Sequence, residues 1–144
     1  MKLTFELTTP ERIVEKKEVD GVTLPTQEGE ITVLPGHIPL VSNLRPGVVT
    51  LHEGKEQEYL AVSGGFIEVQ PDGRLIVLAD TAERAEELDM EKIEAAREEA
   101  RKALEEKRGM DDVAATAMLA SLEREIAREQ TARKYRDLKR RPRA

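Results

Sequence analysis

Residues 59–89 read YLAVSGGFIEVQPDGRLIVLADTAERAEELD, and the sequence pattern changes twice within this stretch. In its first part, the segment FIEVQ places Ile67 and Val69 on the face opposite Phe66, which is typical of a strand with one buried face. The tetrapeptide PDGR then predicts a tight hairpin in which Gly73 supplies a positive φ. Beyond the second strand, alanine and charged residues replace the branched ones, so the stretch predicts paired strands followed by the approach to a helix.

Residues 1–85 repeat this strand-and-turn pattern toward the N-terminus. Short segments of branched and aromatic residues alternate with turn sequences such as TPER, EGE and EGKE. In the first segment, KLTFELT, the side chains of Leu3, Phe5 and Leu7 share one face. Strands are predicted near residues 3–8, 11–18, 21–25, 29–34, 47–52, 57–62, 65–70 and 74–79. Many short strands at this spacing indicate a β-sandwich or flattened barrel with a modest core.

Residues 86–144 have the composition of a helical hairpin. The segment 82–108 contains no proline or glycine and is rich in Ala, Glu, Lys and Arg, which are strong helix formers. It predicts a helix of about 90–107, for which Asp89 is the candidate N-cap. Gly109 then ends this helix.

A second helix is predicted over about 112–138, capped by Asp111 or Asp112 and ending before Pro142. The apolar residues of each helix share one face: Ile93, Ala96, Ala100, Ala103 and Leu104 on the first, and Ala115, Leu119, Leu122 and Ile126 on the second. Because alanine buries little area, at about 25 cal/mol per Å2 such a face stabilises weakly. The hairpin should therefore dock weakly, with extended alternatives within a few kcal/mol.

The composition excludes several classes of function. The 144 residues include no cysteine, which excludes disulfides and cysteine-ligated metals. No signal peptide or run of 18 apolar residues is present, so a cytoplasmic protein is expected. His37 and His52 lack a nucleophile motif, SGGF at 63–66 lies between strands rather than opening a helix, and no acidic spacing forms a metal loop. The chain is therefore predicted not to be an enzyme by itself.

Charge is distributed unevenly along the chain. Residues 1–87 carry 8 basic and 16 acidic side chains, whereas residues 124–144 carry 9 basic and 3 acidic ones. The acidic body and the single ring at Tyr135 argue against nucleic-acid binding. The basic tail fits either a solvated helix end that opposes the helix dipole or a segment that docks on an acidic protein surface.

An apolar loop is predicted within residues 34–49, LPGHIPLVSNLRPGVV, which carry one charge, Arg45. Prolines restrict the backbone, so less conformational entropy is lost when the loop docks on a partner. Exposed apolar groups such as Ile38 and Leu40 then form an interface. His37 either contacts that partner or is a turn histidine whose ring bonds a nearby carbonyl.

Two long motifs, GEITVLPGHIPLVSNLRPGVV at 29–49 and the stretch at 59–89, resemble the epsilon subunits of bacterial F-type ATP synthases. The resemblance implies an α+β protein, with a β-sandwich of about ten strands followed by two antiparallel helices. It implies a non-catalytic central-stalk subunit that binds the gamma subunit and the c-ring at the cytoplasmic face of the plasma membrane. Its helices would extend into the alpha/beta catalytic head and inhibit ATP hydrolysis.

The resemblance also implies site residues. Contact with the c-ring and gamma falls on Glu30, His37, Ile38, Pro39 and Leu40. Contact with an acidic segment of the beta subunit falls on Arg124, Arg128, Arg133, Lys134 and Arg136.

Some members of that family bind ATP through an Ile/Leu-Asp-x-x-Arg-Ala motif. Leu88 and Asp89 match the motif, but Lys92 and Ile93 replace its arginine and alanine, and Glu99 replaces a further arginine. Lysine lacks the planar fork that binds phosphate oxygens in pairs. No ATP or other cofactor is therefore expected. The alternative function is a stand-alone β-sandwich that binds a ligand or peptide and carries a helical dimerisation arm.

Overall fold

The computed structural model of the chain describes residues 1–88, 90–106 and 112–140. Ten strands come first: β1 (Leu3–Thr8), β2 (Ile13–Val19), β3 (Gly21–Thr26), β4 (Gly29–Val33), β5 (Leu40–Leu44), β6 (Gly47–Glu53), β7 (Glu56–Val62), β8 (Gly65–Val69), β9 (Arg74–Ala79) and β10 (Ala82–Arg84). A 3-10 helix (Ala85–Glu87) leads to α1 (Met90–Glu106) and α2 (Asp112–Arg140). The predicted β-sandwich followed by two helices is confirmed.

Two of the ten strands were missed by the strand pattern. β5 lies inside the segment predicted as a loop, between prolines, and only one of its residues is branched at Cβ. β10 has the sequence AER, whose composition favours helix, and it is a strand because it pairs with β7 from Ala82↔Val62 to Arg84↔Leu60. In both cases tertiary pairing overrides local propensity.

The strands form one hydrogen-bonded sheet that folds back on itself. Its order is β10-β7-β6-β3-β5-β8-β9-β1-β2, with β4 paired to the other edge of β3. Between β3 and β5 the only pair is Thr26↔Leu44, and this narrow connection lets the two halves face each other. The first strand runs parallel to β9 and antiparallel to β2.

The core lies between the two halves. Along β1, buried and half-buried residues alternate, and Leu3, Phe5 and Leu7 are the buried set, as predicted. Every other strand contributes buried partners to this core, β5 through Leu44 and the short β10 through Ala82. A sandwich of this size therefore has one contiguous apolar interior.

Two glycines are required by the backbone. Gly73 has φ +88° in the PDGR turn, where its N–H donates to the carbonyl of Gln70 at 2.9 Å. Gly65 is required for a different reason, because a Cβ at this position would lie 1.9 Å from the carbonyl oxygen of Leu78 on β9. Glycine within a strand is used for such close approaches between backbones.

The two helices are antiparallel. Arg97 pairs with Glu129 and Glu94 pairs with Arg133, so residue numbers rise on one helix as they fall on the other. Ile93 is fully buried, and Ala96, Ala100 and Ala103 of the predicted α1 face are half-buried. Asp89, Gly109 and Asp111, predicted as caps and helix end, lie outside the described residues, as do the side chains of Leu104 and Ala115.

The predicted face of α2 is confirmed only in part, because Leu122 and Ile126 are half-buried whereas Leu119 is exposed. Leu119 is 48% exposed, whereas the buried side chains among those described on this helix are Glu125, Ala127, Glu129, Thr131 and Ala132. Part of this helix lies on β6 and β7 while it also packs against α1. The periodicity predicted one apolar helix face. It could not show which part of the helix packs on the sheet, or that charged residues would be buried there.

Candidate interaction surfaces

A tight turn forms the tip of the loop after β4. The N–H of His37 donates to the carbonyl of Leu34 at 3.1 Å, and Gly36 has φ +84°. The ring Nδ1 of His37 donates to the carbonyl of Ile38 at 2.7 Å. This hydrogen bond is the one expected of a turn histidine. It holds the ring against its own loop, and Nε2 is the ring nitrogen that takes no part in it.

The turn presents apolar side chains outward. Ile38 is 75% exposed and Leu34 is 57% exposed, while Pro39 is also exposed. Leu40 differs from the expectation, because it is half-buried, belongs to β5 and packs against the core. The exposed part of the loop is therefore shorter than predicted and is centred on Ile38.

The other predicted loop contact, Glu30, lies apart from the turn. It pairs with Pro25 near the start of β4, whereas His37 follows the end of that strand. Glu30 lies instead beside a groove of about 240 Å3 that is also lined by Arg45 and Lys134. The structure thus brings Ile38 and His37 together and separates Glu30 from them.

A second apolar surface, missed by the sequence analysis, crosses the outer face of β5, β8 and β9. Val41 is 73%, Phe66 58% and Leu78 53% exposed. Phe66 pairs directly with Leu78 on β9 and with Asn43 on β5, so these side chains are neighbours. We call Val41, Phe66 and Leu78 the apolar stripe. The sequence carried a signal for this surface, because Phe66 alternates with buried residues and therefore lies on the otherwise polar face of its strand.

The outer face of the other half of the sheet is covered by α2. Val48, Thr50 and Ala61 are buried although the core side chains of the same strands, such as Val49 and Leu60, point the opposite way. On the helix, the buried small residues are Ala127, Thr131 and Ala132. This contact is called the seam below, and small side chains line both sides of it, each of which can bury little apolar area.

Ion pairs flank the seam. Arg128 Nε lies 2.9 Å from Glu83 Oε1 on β10, and its Nη1 donates to Glu125 on its own helix at 2.9 Å. Glu129 accepts from Arg97 of α1 and lies 2.6 Å from Arg133. Arg128 and Arg133, which were predicted to bind a partner, thus form ion pairs within the chain in this conformation.

The remaining predicted tail cations have different surroundings. Lys134 Nζ lies 5.8 Å from the centroid of the Tyr59 ring on β7, within range of a cation–π contact. Arg124 lies 3.8 Å from the adjacent Glu125 and is about half exposed. Arg136 is exposed near the end of α2.

The positions that match the nucleotide motif lie around the start of α1. Leu88 is half-buried, Lys92 and Glu99 are exposed, and Asp89 lies outside the described residues. Ile93, which replaces the small residue of the motif, is fully buried. The isoleucine therefore occupies interior space beside the expected phosphate-binding positions.

A charged cluster joins β2 to β10 and to the first part of β7. Glu15 forms an ion pair with Arg84 at 3.2 Å, and Lys17 donates to Glu58 at 2.6 Å. Burial, followed by the nearby Glu58 carboxyl, raises the pKa of Glu15 above its usual range. The environment therefore disfavours the Glu15 carboxylate even with an arginine beside it.

Neither a metal site nor a membrane-spanning helix is found within residues 1–88, 90–106 and 112–140. No three acidic or histidine side chains there converge as ligands for a metal ion. No helix in this part of the chain combines the length and apolarity needed to cross a membrane.

Residues 2–85 match the family model described as the β-sandwich domain of the ATP synthase delta/epsilon chain. The chain belongs to the ATP synthase delta/epsilon family. The ATP synthase epsilon chain of Moorella thermoacetica is 46% identical over 127 residues, which cover 88% of this chain and 92% of that protein. The epsilon chain of Dehalococcoides mccartyi strain BAV1 is 42% identical over 135 residues, which cover 94% and 95%.

A solved structure has the same architecture. A chain in the cryo-EM structure of the Euglena gracilis mitochondrial ATP synthase (OSCP/F1/c-ring, rotational state 1) superposes with a TM-score of 0.76 at 29% identity. The match covers 90% of this chain and 80% of that chain. As an epsilon chain of this family, the protein is a non-catalytic subunit of ATP synthase, and its association with the membrane follows from the complex.

Proposed function

We propose that this epsilon chain is a rotor subunit of the central stalk, in which the sandwich couples the gamma subunit to the c-ring and the hairpin inhibits ATP hydrolysis by extending into the catalytic head. The observation that carries this proposal is the distribution of surfaces on the sandwich. The Ile38 turn and the apolar stripe are both uncovered, and a separate face carries α2. An adaptor between two partners needs two such surfaces, and an inhibitory switch needs an element that can detach from the sandwich.

The turn is assigned to the c-ring. Its tip is small and apolar, and the His37 ring and Gly36 hold its conformation. Docking therefore restricts few additional rotatable bonds. Replacement of Ile38 by aspartate should uncouple ATP hydrolysis from proton pumping in reconstituted vesicles, whereas Leu119→Asp, at an exposed leucine of α2, should not. Full proton pumping by the Ile38 variant would exclude this assignment.

The apolar stripe is assigned to the gamma subunit. An exposed phenylalanine beside an exposed leucine is the kind of centre that dominates the binding energy of protein interfaces. The double variant Phe66→Ser and Leu78→Ser should weaken gamma binding at least about tenfold, since loss of two such side chains costs more than 1.4 kcal/mol. Leu119→Ser serves as the matched control. A stable homodimer that binds no gamma would instead support a stand-alone binding module.

The hairpin is assigned to inhibition. Deletion of residues 88–144 should leave ATP synthesis coupled and relieve inhibition of hydrolysis, because only the sandwich contacts both gamma and the c-ring. Loss of proton pumping in the truncated complex would show that the division of labour is wrong. Arg124, Arg128 and Arg133 are proposed to contact an acidic segment of the beta subunit once the hairpin is open.

No bound nucleotide is required for the docked hairpin in this proposal. The exposed Glu99 opposes phosphate, and Ile93 fills the space of the small motif residue. Titration of the full chain with ATP in a calorimeter should give no saturable heat, with Asp89→Ala as the control variant. Saturable binding that Asp89→Ala abolishes would overturn this part. We place the subunit at the cytoplasmic face of the plasma membrane, as part of the complex.

A further inference from the structure

Within the part of the chain that the structure describes, an ion pair joins the hairpin to the sandwich at β10. Arg128 is one-quarter exposed and Glu83 one-third exposed, so water screens the pair only in part. The buried Nε–H of Arg128 makes no hydrogen bond within the described residues, although it lies 2.9 Å from Glu83 Oε1. The attraction between these groups therefore depends on their charges more than on directed bonding.

Glu125 has a different relation to the same arginine. It is 5% exposed, lies one turn earlier on α2, and accepts two hydrogen bonds from Arg128 Nη1. Because both residues are on one helix, Glu125 travels with Arg128 when the hairpin moves, whereas Glu83 stays with the sandwich. Only a contact that differs between two conformations shifts the equilibrium between them.

We propose that Arg128 is an electrostatic latch, in which Glu83 holds the hairpin on the sandwich and competes with the partner surface for the same guanidinium. Opening exchanges Glu83 for an external carboxylate, while Glu125 orients the guanidinium in both conformations. Removal of Glu83 therefore favours the open form without removing any cation from α2. Removal of Arg128 also favours opening, but it deletes a group that the open form would use; this second statement rests on the proposed inhibitory function.

The latch is tested in the full chain by thiol labelling, which is clean because the sequence has no cysteine. Thr50→Cys places a thiol beneath α2, at a position 7% exposed and two strands away from Glu83, so its labelling rate reports the fraction of open hairpin. A second background, Val49→Cys, places the thiol in the sandwich core and reports global unfolding.

In the Thr50→Cys background, Glu83→Gln should speed labelling about twofold to fivefold, as expected for a partly exposed charge pair. Glu68→Gln removes an equal charge from the opposite half of the sheet and should leave the rate unchanged. Labelling of Val49→Cys should be unaffected by either change. Equal rates in the Glu83 and Glu68 variants would overturn the latch.

A double-variant cycle identifies the partner. Arg128→Met should also speed labelling, and Glu83→Gln should then add no further increase, because the pair is already lost. If Glu83→Gln still accelerates labelling in the Arg128→Met background, Arg128 is not the partner and the proposal fails.

ATP hydrolysis by the reconstituted complex separates the latch from the inhibitory function. Glu83→Gln should deepen inhibition, whereas Arg128→Met should not. Faster labelling with unchanged hydrolysis would uphold the latch and overturn the inhibitory function. Unchanged labelling overturns the latch whatever the rate of hydrolysis.

Discussion

Substitution of Gly65 by alanine tests how tightly β8 is held between its neighbours. Gly65 pairs with Leu44 on β5 and with Ala79 on β9. A Cβ would lie 1.9 Å from the carbonyl oxygen of Leu78 and 2.9 Å from the Cα of Ala79. Both of these atoms belong to the backbone, so no flexible side chain can move aside.

The magnitude follows from these distances. A carbon and a carbonyl oxygen normally approach to about 3.3 Å, so the two strands must separate locally by roughly 1.4 Å. Overpacking of this kind costs about 1–3 kcal/mol, and weakening of one or two ladder hydrogen bonds adds about 1 kcal/mol each. The expected loss is about 2–5 kcal/mol, which for a chain of this size lowers Tm by roughly 7–17 °C.

Thermal unfolding of the full chain, followed by circular dichroism in the strand region, measures the effect. Gly64→Ala is the matched control, because its Cβ would meet nothing closer than 3.5 Å. That variant should keep its Tm or gain slightly, since alanine restricts the unfolded chain. A Tm for Gly65→Ala within about 2 °C of the Gly64→Ala value would refute the steric argument.

Two further predictions concern charge and packing. Because the folded-state pKa of Glu15 is raised, its protonated form is favoured in the fold and its stabilising contribution is lost as pH rises through that pKa. Glu15→Gln should therefore raise Tm at neutral pH but not below about pH 4, where glutamate is itself protonated; a lower Tm at pH 7 would contradict this. Ile93→Ala should weaken the packing of α1 on α2 by about 2–4 kcal/mol, since it empties a fully buried site on the helix that packs against α2, and should speed thiol labelling at position 50. A rate equal to that of the parent chain would show that Ile93 does not support docking.

The sandwich was predictable where local pattern and tertiary environment agree. Alternation placed Leu3, Phe5 and Leu7 on the buried face, and the PDGR turn predicted the positive φ of Gly73. β10 was not predictable from composition, because its three residues are good helix formers and only the pairing with β7 makes them a strand. The ten-strand count came from family resemblance, whereas the residues alone indicated eight.

The interaction surfaces were predictable only in part. Ile38 was correctly expected to be exposed, but Leu40 turns inward because β5 begins there and alternation assigns it to the core. The apolar stripe arises from Phe66 and Leu78, which are 12 residues apart in sequence and adjacent only through the β8–β9 register. Such a surface needs the pairing of strands, which a single strand's pattern does not supply.

The seam and the latch together explain how one chain combines a rigid part with a movable one. The sandwich core holds large, fully buried side chains such as Phe5 and Leu60. The seam is made of small residues that bury little area, so a single charge pair is a substantial fraction of the docking free energy. The position of the hairpin is therefore sensitive to substitutions at Glu83 or Arg128 that leave the sandwich and its two uncovered surfaces intact.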